Sequence, residues 1–202
     1  MGLFRPKAKA HPSVSGRGAK PIKIVIGGPF AAGKTTLIKT VSEVTVVGTE
    51  RTVTDETSAI KQQTTVAMDF GRISFGPDCS LHLFGAPGQR RFEIMWEILS
   101  EGMIGFIMLV RATERRSIEE AVQIMETFRS YADVPYVIGV THLDQVDRPA
   151  QEVLNEVRAT LDCPPEVEVH ACDPRNREHV KSLLLVVLHA VLNRLERQPA
   201  LG

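Results

Sequence analysis

The octapeptide Gly28-Pro29-Phe30-Ala31-Ala32-Gly33-Lys34-Thr35 fits the pattern G-x-x-x-x-G-K-[ST], and its surroundings narrow the possible folds sharply. Residues 21–27, Pro-Ile-Lys-Ile-Val-Ile-Gly, form a short β-branched run that reads as a buried strand. Residues 34–41 continue as a helix. A strand, a glycine loop and a helix in that order make a cradle of backbone N–H groups. Gly28 and Gly33 lack a Cβ, so the chain can curl closely around an anion. The N-terminal end of the helix adds partial positive charge. Lys34 is placed to reach β- and γ-phosphates, and Thr35 to hold Mg²⁺. Ala31, Ala32 and Thr36 complete the phosphate-binding set. The competing reading is a chance match in a glycine-containing turn, which the flanking strand and helix argue against.

The rest of the chain supplies the sheet for this loop. Apolar runs at 104–110 and 134–140 read as buried strands, and Glu166–Val169 as a last short one. Residues 65–75 and 79–84 flank the turn Gly76-Pro77-Asp78 and read as an antiparallel hairpin. Helical periodicity appears from about Arg90 to Glu101, with Phe92, Met95, Trp96 and Leu99 on one face. A second helix is expected after Ser117 as its cap, and a third after Asp147 with Pro149 in its first turn. The final helix has Val180, Leu183, Leu184, Val187, Leu188, Val191 and Leu192 on its buried side. The pattern predicts an α/β fold: a mostly parallel six-stranded sheet with one antiparallel hairpin strand and helices on both faces. Ligands of such sheets sit beyond the strands' carboxyl ends. The loops after Gly27, Phe84, Val140 and Val169 all leave such ends.

The totals exclude several classes. With 24 basic and 24 acidic residues among 202, the chain has no bulk charge to favour nucleic acid. No apolar run is long enough to span a membrane, and Cys79, Cys163 and Cys172 show no metal-site spacing. These features point to the cytoplasm. Residues 1–20 carry Arg5, Lys7, Lys9, Arg17 and Lys20 with no acidic residue, and read as a flexible basic tail before a domain at 21–202. A sharper alternative has Leu3 and Phe4 in weak peripheral contact with an anionic membrane surface. Residues 45–63 read as a long polar loop, a feature that is functional or mobile in compact domains.

Four segments together resemble the Ras-like small GTPases, especially the bacterial MglA type and its actinobacterial relatives. They are residues 28–36, Thr-Thr-Val-Ala-Met-Asp-Phe-Gly (64–71), Phe-Gly-Ala-Pro-Gly-Gln (84–89) and Thr-His-Leu-Asp (141–144). The resemblance runs from about Pro21 to Leu195 and implies a P-loop NTPase of the Ras-like G-domain kind. It implies GTP and GDP as ligands, Mg²⁺ as cofactor, and a switch with slow hydrolysis. It further implies a roadblock-fold regulator or a GTPase-activating protein as partner. By position, Thr65 matches the threonine that binds Mg²⁺ and the γ-phosphate, with Thr64 as its neighbour. Gly88 matches the glycine whose N–H meets that phosphate, and Gln89 the residue that orients the attacking water. Asp144 matches the carboxylate that reads guanine, flanked by Thr141 and His142 where Asn and Lys are usual. Ala171 and Cys172 match the loop whose backbone meets the guanine O6 atom.

The chain also departs from that pattern. Gly85 stands where the resembled family has an aspartate holding a Mg²⁺ water, and Asp69 on the adjacent strand is the candidate replacement. Phe30 stands where a small residue admits an activating arginine, so a phenyl ring beside the γ-phosphate predicts slow turnover. Thr64 occupies the position of the MglA type's own arginine, leaving Arg90 and Arg91 as other sources of charge. Two further classes stay open on the same loop: a module that holds nucleotide without turning it over, and a P-loop ATPase or nucleotide kinase.

Overall fold

The computed structural model describes residues 21–46, 68–76 and 78–197. Expectations at 1–20, for most of the loop 45–63, and at Thr64 and Thr65 lie outside the described residues.

The first strand, β1 (Ile22–Gly27), runs into the glycine loop and then helix α1 (Lys34–Val41). The hairpin follows as β2 (Asp69–Phe75) and β3 (Cys79–Gly85), paired antiparallel from Asp69 opposite Gly85 to Phe75 opposite Cys79. A 3₁₀ turn (Arg90–Phe92) leads into α2 (Glu93–Ser100), then β4 (Gly105–Arg111) and α3 (Arg115–Tyr131). The chain continues through β5 (Tyr136–Thr141), α4 (Ala150–Thr160), β6 (Val169–Ala171) and α5 (Arg177–Arg197). The sheet order is β2-β3-β1-β4-β5-β6, parallel except for the β2–β3 pair. The expected α/β architecture is therefore the one observed.

Strand periodicity divides the core. On β1, Ile24 and Ile26 face α1 and α5, while Val25 faces the other layer. On β4, Ile107 and Leu109 face the first layer, and Phe106, Met108 and Val110 the second, where α2, α3 and α4 pack. Phe106, Phe128 and Trp96 stack through that second layer, with ring centroids 5.7 and 6.0 Å apart. Burial of these rings contributes about 2–3 kcal/mol each. Phe92, Trp96 and Leu99 of the α2 stripe are buried, whereas Ile94 and Ile98 are exposed.

Local signals misplaced several boundaries. Ser117 lies inside α3, where its Oγ accepts from the Arg111 backbone N–H and ties the helix to β4. Pro149 precedes α4, its extended ψ of 130° standing in place of the cap expected at Asp147. Leu192 of α5 is exposed rather than buried: the neighbouring Val191 keeps the buried face, and Leu192 is turned about 100° away from it. The last strand begins three residues later than its apolar pattern suggested and runs to Ala171. Val167 instead turns into the core through a backbone bond to the Pro164 carbonyl.

Candidate functional site

The glycine loop owes its shape to contacts that exclude side chains. Gly28 sits at φ 141°, and a Cβ there would lie 2.4 Å from the Leu109 carbonyl oxygen of β4. Gly33 begins α1 with a left-handed φ of 97°, and its carbonyl accepts the first helical bond from the Leu37 N–H. Ala31 is also left-handed, with φ 59°, a strained conformation of the kind that collects at ligand-binding loops. Gly88, in the loop after β3, presses on the same backbone: a Cβ on it would stand 2.6 Å from the Phe30 nitrogen. Two strand-end loops thus meet without intervening side chains.

Lys34 folds back over this loop, its Nζ donating to the Gly28 carbonyl at 2.8 Å and the Pro29 carbonyl at 2.6 Å. Burial pushes its ammonium down to about 8, and the Asp69 carboxylate partly offsets that shift. Both carbonyl contacts are ones a phosphate can replace. The Thr35 Oγ1 donates to Asp69 Oδ2 at 2.5 Å. Hydroxyl and carboxylate oxygens side by side form a hard donor set of the sort that suits Mg²⁺. Asp69, the residue expected to take over the carboxylate absent at Gly85, is thus the hydrogen-bond partner of Thr35.

A cavity of about 760 Å³ opens above these residues. Of the predicted set, Ala31, Gly33, Lys34, Thr35, Thr36, Asp69, Gly88, Gln89, His142 and Asp144 line it. Gly28 and Ala32 are not among its lining residues; their carbonyls accept from Lys34 and Thr141. Thr141 is fully buried: its hydroxyl spans to the Ala32 carbonyl at 3.1 Å and to His142 Nδ1 at 2.9 Å, so it ties β5 to the glycine loop. His142 takes a left-handed φ of 59°, which turns the chain into the cavity rim. Burial, then the Arg111 charge, lowers its imidazole below the ordinary range. Ala171 belongs to β6, and the Cys172 N–H is already given to the Val140 carbonyl at 2.8 Å. The Cys172 side chain points into the core. Because β6 ends later than expected, Asp173, Pro174 and Arg175 line the cavity in their place. Arg91, one of the two arginines expected as a source of charge, lines it as well, and Arg90 is not among the lining residues; Lys39, Phe92 and Gln145 also line it and were not foreseen. Lys39 lies four residues, about one helical turn, beyond Thr35 on α1, a spacing that could have marked it.

The family model described as "Conserved hypothetical ATP binding protein" matches residues 45–193, more than half of the chain. The "Uncharacterized protein MJ1339" of Methanocaldococcus jannaschii is 27% identical over 154 residues, covering 75% of this chain and 85% of that protein. These matches overturn the assignment to the Ras-like, MglA-type GTPases. Glycine loop, Gly-x-x-Gly-Gln and strand-end aspartate are solutions to phosphate and base contact that a P-loop sheet of any lineage can present. They report the geometry of the site and not the ancestry of the chain. Among the described residues, no helix is long and apolar enough to cross a membrane.

Proposed function

The chain belongs to the family of conserved hypothetical ATP-binding proteins, and from that premise we propose that it binds ATP with Mg²⁺ and hydrolyses it slowly. The observation that carries this reading is one cavity with Lys34, Thr35 and Asp69 in its lining alongside His142 and Asp144 from another strand end. The amine and the loop N–H groups take the phosphates, and the rim formed after β5 and β6 takes the base. Thr35 and Asp69 would hold Mg²⁺, which when bound neutralises phosphate charge.

For hydrolysis, Gln89 is the residue proposed to orient water; it is exposed on the cavity rim beside Gly88. Arg91 lines the same cavity, and its guanidinium lies 4.7 Å from the Phe92 ring centroid. Phe30, within the loop, is 73% exposed, so an external cation meets a phenyl ring first. A positioned arginine accelerates phosphoryl transfer by about 10³–10⁵, and turnover without one is correspondingly slow.

Calorimetric titration with ATP, with and without Mg²⁺, tests the binding reading, and phosphate release over hours tests the chemistry. Lys34→Ala is expected to weaken ATP affinity by about a hundredfold, the loss of charge-assisted hydrogen bonds to phosphate. Unchanged affinity in that variant, or no binding by the wild-type chain, would overturn the proposal.

A further inference from the structure

The rim formed after β5 and β6 holds a hydrogen-bonded cluster that the phosphate chemistry does not use. Arg175 Nη2 donates to Asp144 Oδ2 at 2.9 Å and to Asp173 Oδ2 at 3.0 Å, while its Nε donates to Asp173 Oδ1 at 2.8 Å. The Arg175 backbone N–H also donates to Asp173 Oδ1, at 2.9 Å, which fixes the loop that carries the guanidinium. All three residues line the nucleotide cavity. Asp144 is therefore not a lone carboxylate.

We propose that Arg175 sets the choice of base at this site, by turning the Asp144 acceptor into a side-by-side donor and acceptor. This rests on the ATP-binding reading above. A free carboxylate with two acceptor oxygens suits guanine, whose N1–H and N2 amino group are adjacent donors. Adenine presents an acceptor at N1 next to a donor at N6. Against a bare carboxylate, the N1 lone pair of adenine faces like charge. Against the Arg175–Asp144 pair, in which Nε and both Nη2 hydrogens are already given to carboxylates, an Nη1–H can meet N1 while Asp144 Oδ1 accepts from N6. Guanine can use Asp144 only by displacing Arg175 from it, leaving donors and acceptors mismatched.

The cluster suits mutation because its stability role is small. Arg175 and Asp144 are 63% and 54% exposed, and exposed pairs of this sort contribute little to folding. Calorimetry on the full chain would compare wild type, Arg175→Ala and Arg175→Lys with MgATP, MgGTP and base-free tripolyphosphate. Arg175→Ala is expected to shift the ratio of ATP to GTP affinity by about tenfold toward GTP, the effect of one hydrogen bond to a charged group. Tripolyphosphate corrects for any general loss of positive charge, and Arg175→Lys keeps the charge without the fork and should fall between. An ATP-to-GTP ratio unchanged in Arg175→Ala, with ATP still bound by the wild type, overturns this assignment alone. A folded wild-type chain that binds neither nucleotide overturns both readings.

Discussion

Asp69 stands opposite Gly85 in the β2–β3 ladder, and its Oδ2 lies 3.1 Å from the point a Cβ on Gly85 would occupy. The carboxylate fills the space left by the missing side chain, and from there it accepts the Thr35 hydroxyl at 2.5 Å. The same volume could be served from either strand, but not from both.

That relationship makes Asp69 testable through Mg²⁺. Asp69→Asn should weaken MgATP binding by about tenfold, since a carboxylate contact to the metal is replaced by a neutral amide. Binding of ATP in excess EDTA should hold or improve, because a negative charge near the phosphates is gone. Equal weakening with and without Mg²⁺ would show that Asp69 acts on the loop and not on the metal.

Two glycines of positive φ, one in the glycine loop and one in the hairpin turn, offer a contrast. Gly28→Ala puts a methyl group 2.4 Å from the Leu109 carbonyl in a central strand, at φ 141°. Gly76→Ala, at φ 67° in the hairpin turn, meets nothing within 4 Å. Urea unfolding should show a loss of about 3 kcal/mol or more for the first, combining overpacking with backbone strain. The second should lose only about 1 kcal/mol, the cost of the left-handed conformation. Similar losses would contradict the steric account.

Trp96, the chain's single tryptophan, donates its Nε1–H to the Pro87 carbonyl at 2.7 Å while its ring stays in the core. Pro87 lines the nucleotide cavity. Saturating ATP should therefore change Trp96 emission as the loop adjusts, with the same midpoint as calorimetry. An emission spectrum unmoved at saturation would mean that the loop does not respond.

Cys172 reports on the core beneath the base-side rim. Burial pushes its thiol from an ordinary 9.0 up to about 12. A folded value above the unfolded one stabilises the fold fully below about pH 9, and that contribution is lost as pH rises toward 12, where the unfolded chain alone ionises. Urea unfolding between pH 8.5 and 10.5 should show a decline that Cys172→Ala lessens. Iodoacetamide at pH 8 should label the partly exposed Cys79 well before Cys172, read by mass spectrometry. Early labelling of Cys172 would mean that the last strand opens readily.

What the amino-acid order determined by itself was local. Glycine spacing between a β-branched strand and a helix specified the phosphate loop, and alternation of strand and helix specified the parallel sheet. Both are read over a few neighbouring residues, because they depend on φ/ψ preference and on which face of an element is apolar. The tertiary structure alone decided the pairings across the cavity. Asp69 reaches Thr35 only because the β2–β3 register sets it opposite a glycine. Arg175 reaches Asp144 only because β6 runs on to Ala171 and ends beside β5. Those partners lie 34 and 31 positions apart. Whether a carboxylate meets a hydroxyl or a guanidinium is decided by strand order and register, which no periodicity within a single segment encodes.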